Sequence, residues 1–175
     1  MSPRQSLPRI WLVTDERQGD RLLPAVARLP DEAGILFRHY SLTDGERRAL
    51  FEAVRAASGD RMLLLAGPAA LAETWGADGW HGWGEGNGLH SASVHDLAEI
   101  RRAEALGAEL LFLAPVYPTR SHPDGSTLGT GRFADLAAAT KLPVIALGGV
   151  TPSNAPELLA RGAYGWAAVD AWLAD

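Results

Sequence analysis

The chain has 175 residues, 47% of them hydrophobic and 21% charged, and a net charge of −5, which suits a single domain spanning 1–175 with a sizeable core. The acidic balance and a pI near 5.5 argue against a nucleic-acid partner, which needs a basic face for the phosphate backbone. No cysteine is present and the lone lysine is Lys141, so thiolate chemistry, disulfides and cysteine-based zinc sites are excluded and cationic ligand contacts must come from arginine or histidine.

The opening segment, MSPRQSLPRIWLVTD, lacks the apolar stretch of a signal peptide, and nothing approaches the roughly 18 apolar residues of a membrane span. A cytoplasmic protein with no membrane partner is expected. Continuous apolar runs at 10–14 and 35–37 predict the first two strands. Such runs suit strands buried on both faces, as in a parallel sheet covered by helices. Thr43 and Glu46 form a capping box for a helix that places Leu50, Phe51, Val54 and Ala57 on one face and stops at Gly59. A third strand at 62–65 precedes a helix over 68–75.

Residues 79–84 and 88–92 then read as two strands with no room for a helix between Gly84 and Gly88. Ser93 opens another helix, with Leu97, Ile100 and Ala103 inward and Gly107 at its end. A strand at 110–113, a helix at 132–140 and a strand at 144–147 follow. Thr151 with Pro152 reads as an N-cap with proline in the first helical position, and Gly162 closes that helix. A last strand at 166–169 leaves only a stub at 171–175. Eight strands in a βα series predict a short TIM (β/α)₈ barrel with incomplete outer helices; an open doubly wound sheet is the alternative.

Several stretches carry a resemblance. They are WLVTD at 11–15, the isolated Arg38, GADGWH at 76–81, SVH at 93–95, LFLAPVYPTRS at 111–121 and PVIALGGVTPSNAPELLARGAYG at 143–165. Together they resemble thiamin phosphate synthase and its thiazole tautomerase (TenI-like) relatives over nearly the whole chain, most specifically from Ser93 onward. The resemblance implies the same barrel and a transferase that joins a pyrimidine carried on diphosphate to a thiazole phosphate with help from Mg²⁺. By position it implies that Thr119, Arg120, Ser121, Gly148 and Gly149 hold the thiazole phosphate, and that Arg38, Ser93 and His122 hold the pyrimidine diphosphate. Val169 and Asp170 fall at the second phosphate-binding turn, where barrels often place phosphate. A small phosphorylated heterocycle is the expected partner, and a homo-oligomer is compatible with the reading.

The residues themselves support an anion site at Gly148-Gly149, because a glycine pair after a buried strand lets backbone N–H groups approach a ligand. A tight turn with no ligand is the competing reading. Arg38 interrupts an apolar run, so it is either functional or paired with an acid such as Asp15. Ser93 reads equally as a helix cap and as a ligand contact. His81, His90 and His95 read as ordinary strand and cap histidines rather than a zinc site. Thr119 and Ser121 also suit a solvent-exposed turn. Trp80 and Trp166 suit core filling, and Trp83 either does the same or occupies space a ligand would use.

The departures from the resemblance are numerous. Its Gln-x-Arg-x-Lys motif survives as Arg38 alone, flanked by Leu36 and Tyr40. Its Mg²⁺-binding acids become Ala66-Gly67 and Gly86, with Glu85 or Asp78 as the nearest replacements; glycine and alanine offer no side-chain oxygen to a hard cation. A lysine becomes His122, with less charge near neutral pH. A serine becomes Asp170, whose carboxylate repels phosphate unless a cation intervenes. The tautomerase histidine position is Pro115. Three readings remain open: a thiamin phosphate synthase of weak or lost activity, a divergent TenI-like isomerase, and a non-catalytic phosphate-ligand-binding protein. The catalytic residue is left unassigned.

Overall fold

The structure, a computed structural model, describes residues 6–120 and 123–173. Eight parallel strands are present: β1 (Ile10–Val13), β2 (Gly34–Phe37), β3 (Met62–Ala66), β4 (Gly79–His81), β5 (Leu89–Val94), β6 (Leu110–Leu113), β7 (Val144–Ala146) and β8 (Gly165–Ala168). They pair in sequence order, and β8 returns to β1 to close a barrel. The closure decides against the open sheet. Around it lie α1 (Leu22–Arg28), α2 (Asp44–Ser58), α3 (Ala69–Trp75), α4 (Leu97–Ala105), α5 (Gly129–Ala138) and α6 (Ala155–Ala160). Residues 82–88 contain no helix, as the sequence requires.

Alternation along the strands sorts the core. Trp11, Val13, Leu36, Leu64, Leu110, Phe112, Ile145 and Ala167 fill the barrel interior. Leu12, Ile35, Phe37, Leu63 and Leu65 belong to the layer under α1–α3, and Ala92, Val94, Leu111 and Leu113 to the layer under α4–α6. Trp11 is the largest interior group. It meets Phe112 edge-on at 5.4 Å and donates to Pro8 O at 2.8 Å. It fits because Gly34 has no side chain; a Cβ there would lie 2.5 Å from the indole.

The outer wall lacks a full helix in two places, and stacked aromatic pairs cover both. Trp80 lies flat on His90 at 3.8 Å beside the 82–88 loop. Trp166 stacks on Trp172 at 5.3 Å where a turn follows β8. Trp80 and Trp166, with Trp172, thus fill the wall, in keeping with the core-filling reading of the first two. Trp83 differs: it is 39% exposed, with the Arg102 guanidinium 4.5 Å above its ring.

Three local readings change. Ser93 does not open a helix: it lies in β5, and the cap of α4 is Asp96, which accepts the Glu99 N–H at 2.8 Å. The helix expected from Thr151 begins at Ala155, with Thr151 to Asn154 forming a preceding turn whose Thr151 O accepts the Ala155 N–H at 2.9 Å. The segment after β1, unassigned from sequence, forms a 3₁₀ turn (Glu16–Arg21) leading into α1, started by a capping box between Asp15 and Gln18.

Candidate functional site

The segments that leave the C-terminal ends of β5 to β8, together with the ends of β1 and β2, enclose a cavity of about 780 Å³. Arg38, Ser93, Thr119, Arg120, Gly148, Gly149, Val169 and Asp170 all line it. Ser121 and His122 lie outside the described residues. Sequence reasoning missed Arg17 and Arg132, which also line the cavity. Nothing separates them in the sequence from arginines on outer helices.

Gly148 and Gly149 have φ of +99° and +64°. A Cβ on Gly149 would lie 2.7 Å from Pro118 O and from Tyr117 Cβ, and one on Gly148 would lie 2.7 Å from Pro115 Cα. The pair is therefore required by backbone conformation and by the 115–118 segment crossing over it. Tyr117 N–H donates to Gly148 O at 3.0 Å, and Asn154 Nδ2 to Gly149 O at 3.0 Å. The turn's carbonyls are thus both engaged, and both glycines line the cavity.

Arg38 follows β2 and is tethered to β1. Its N–H donates to Thr14 Oγ1 at 2.9 Å, its Nε to Thr14 O at 3.0 Å and its Nη2 to Asp15 Oδ2 at 3.3 Å. Arg38 thus pairs with Asp15 and also borders the cavity. Burial opposes ionisation of Asp15, but the hydrogen bonds from Arg17 and the charges of Arg17 and Arg38 prevail and hold its pKa below the usual carboxylate value. Because Thr14 Oγ1 accepts from Arg38, its own hydrogen is free to go to His39 Nδ1 at 2.9 Å. His39 is buried, has φ +46°, and burial keeps its pKa below the usual imidazole value.

Ser93 is held by a chain of hydrogen bonds through the barrel interior. Ser91 Oγ donates to Trp80 O at 3.3 Å, so it accepts from His81 Nδ1 at 2.8 Å. The other imidazole nitrogen, Nε2, then accepts the Ser93 hydroxyl at 2.9 Å. This tautomer follows from the bonding pattern. His81 stays neutral, since burial first, then the charges of Arg38 and His90, lower its pKa to about 3. Ser93 lines the cavity with its hydroxyl hydrogen engaged by His81.

The positions at which carboxylates would hold Mg²⁺ do not supply them. Ala66 and Gly67 end β3, and Glu85 lines a separate cavity of about 360 Å³ with Gly67, Gly82 and Trp83. Asp78 precedes β4, at the opposite end of the barrel, where it pairs with Arg55 at 2.9 Å and accepts Leu63 N–H at 2.7 Å. Neither replacement reaches the large cavity. Among the described residues no group of three histidine or acidic side chains gathers as a metal site.

At the end of β3 a guanidinium stands instead. Arg47, on α2, is 9% exposed. It donates to Arg38 O through Nε at 2.9 Å and Nη2 at 2.8 Å, and to Ala66 O through Nη2 at 2.6 Å. The rings of Phe37, Tyr40 and Trp75 surround it within 5.8 Å.

A family model for thiamine monophosphate synthase matches residues 87–172. A protein of Geobacter sulfurreducens named "Putative thiamine-phosphate synthase" is 34% identical, the alignment covering 95% of this chain and 87% of that one. A thiamine-phosphate synthase of Pyrococcus furiosus is 35% identical over 85 residues, 49% of this chain and 41% of its own. Among solved structures, the thiamine phosphate pyrophosphorylase of Pyrococcus furiosus superposes with a TM-score of 0.78 at 24% identity, covering 93% of this chain and 85% of that one.

Proposed function

We propose, from the premise that this chain belongs to the thiamine monophosphate synthase family, that the large cavity holds a small phosphorylated heterocycle and that synthase turnover with Mg²⁺ is weak or absent. The observation that carries the first half is convergence. Residues scattered in sequence from Arg38 to Asp170 border one cavity at the C-terminal rim of a barrel, where barrel enzymes place their sites.

The parts take the following roles. The Gly148–Gly149 turn presents amide groups to a phosphate, with Thr119 and Arg120 beside it. Arg38, fixed by Thr14 and Asp15, supplies a guanidinium already in place before a ligand arrives. Ser93 accepts a hydrogen from a ligand N–H or O–H, because its own hydrogen is engaged by His81. Asp170 opposes phosphate at the β8 turn, and Arg17, 3.9 Å away, offsets it in part.

The second half rests on the donor set. Mg²⁺ needs oxygen ligands in near-octahedral geometry, and the ends of β2 and β3 present a buried guanidinium instead. Departure of diphosphate needs its developing charge neutralised, and losing one such contact costs on the order of 3 kcal/mol of transition-state stabilisation. The same observation favours a second reading, a non-catalytic binder of phosphorylated ligands. Pro115 at the tautomerase position speaks against the isomerase reading. No helix among the described residues is long and apolar enough to cross a membrane, and a cytoplasmic location fits a ligand of this class.

Steady-state assay of the purified chain with pyrimidine diphosphate, thiazole phosphate and Mg²⁺ separates the two, alongside complementation of a thiamin auxotroph. Turnover is expected orders of magnitude below ~10 s⁻¹, a typical enzyme value. Turnover within tenfold of that value would sink the argument from the lost donors.

A further inference from the structure

The cavity and the quadrant beside it differ in how they handle charge. Arg17, Arg38, Arg120 and Arg132 border the cavity, against Asp96 and Asp170. Asp96 is engaged in capping α4. Asp170 faces Arg17 at 3.9 Å, and Asp15 pairs with both Arg17, at 2.8 Å, and Arg38, at 3.3 Å. Arg120 and Arg132 form no salt bridge to a carboxylate among the described residues. Two guanidinium charges are thus left over, the complement of a phosphate monoester or diphosphate.

Next to this lies the Arg47 guanidinium. Its bonds to Ala66 O and Arg38 O take up two of the carbonyl oxygens at the ends of β2 and β3. Those carbonyls are the hard donors that a cation could otherwise use, and the fixed positive charge repels one. A side chain at position 67 would not repair the site. Its Cβ would lie 4.0 Å from Arg47 Nη1, so a carboxylate there would meet the arginine, and φ of +141° at Gly67 strains any residue with a side chain.

We propose that the cavity binds phosphate and diphosphate groups without a divalent ion, Arg120 and Arg132 supplying the countercharge, and that Arg47 excludes a divalent cation from the ends of β2 and β3. Guanidinium suits this role because it stays protonated and presents paired donors to phosphate oxygens. This rests on the reading that the cavity takes a phosphorylated ligand. The two fail differently.

The test is calorimetric titration of the full chain with inorganic diphosphate, once in EDTA and once in excess Mg²⁺. Inorganic phosphate, which complexes Mg²⁺ weakly, is the second probe. Binding is expected in EDTA, with affinity little changed by Mg²⁺. Arg120→Gln and Arg132→Gln should each weaken it by about tenfold or more, the effect of losing a charged hydrogen bond. Mn²⁺ added alone should show no protein-bound population by electron paramagnetic resonance. Anion binding that requires Mg²⁺, or bound Mn²⁺ in the wild-type chain, overturns the proposal while leaving the phosphorylated-ligand reading intact. Absence of anion binding under both conditions overturns that reading, and this proposal with it.

Discussion

Replacing Arg47 by methionine tests how the rim is held. Methionine keeps an unbranched apolar stem among Phe37, Tyr40 and Trp75 but removes every donor. Arg38 O and Ala66 O then lose hydrogen bonds of 2.6–2.9 Å. Each buried acceptor left unpaired costs about 1–3 kcal/mol, so the pair sets a range of roughly 2–6 kcal/mol. Relief from burying a charge with no carboxylate partner offsets part of this, and about 2–4 kcal/mol is the expected net loss. For a domain of this size that lowers Tm by roughly 4–16 °C. Urea unfolding followed by tryptophan fluorescence measures it directly. The adjacent Arg48 is the control: it pairs with Glu52 at 3.1 Å on the exposed face of α2, and Arg48→Ala should change stability by less than about 0.5 kcal/mol. Arg47→Met within about 0.5 kcal/mol of Arg48→Ala would show that the two carbonyls find other donors, and the argument would fall.

Gly149→Ala should destabilise by about 2–4 kcal/mol, since it combines a left-handed backbone with a Cβ forced against Pro118 O; an unchanged denaturation midpoint would mean the turn can relax. Keeping His81 neutral stabilises the fold fully above the unfolded imidazole value of about 6.5. That contribution is lost as pH falls toward about 3, because the unfolded chain binds the proton first. Stability should therefore fall by at most about 1.4 kcal/mol per pH unit on this account, and His81→Gln should flatten the acid limb; a parallel limb in the variant would refute the assignment. Asp170→Ser should tighten inorganic phosphate binding by about two- to fivefold, as removal of one exposed like charge allows. Weaker binding would show the carboxylate to be a ligand contact or an organiser of Arg17.

The barrel was legible because its strands are continuous apolar runs with glycine and proline punctuation, and the missing helix followed from counting residues between Gly84 and Gly88. The site was legible where special residues interrupt that pattern: Gly148-Gly149 after a strand, and Arg38 at the end of one. Ser93 was only half legible. Its sequence context offers a cap three residues before an amphipathic helix, and the actual cap is Asp96. Only the strand register, which aligns Ser91 and Ser93 with the interior beside His81, shows that the serine hydroxyl points into the barrel. Arg47 was legible in position but not in role. Four residues before Phe51 and seven before Val54, it shares their inward face while Arg48 does not; that it bonds Arg38 O and Ala66 O depends on how α2 docks over β2 and β3.

The run of charges across the rim bears on which end of the cavity a phosphate takes. Asp170, Arg17, Asp15 and Arg38 alternate in sign, linked at 3.9, 2.8 and 3.3 Å, so the β8–β1–β2 arc largely neutralises itself. The Val169 carbonyl on that arc is also engaged, by Gln18 Nε2 at 2.8 Å. Arg120 and Arg132, which follow β6, have no carboxylate partner in any described salt bridge, and the Gly148–Gly149 turn follows the adjacent β7. The field therefore directs an anion toward the β6–β7 side and away from the Val169–Asp170 turn. On the proposal that the cavity takes a phosphate, Asp170 does not abolish binding but moves the anion off one turn of the barrel and leaves a single preferred seat.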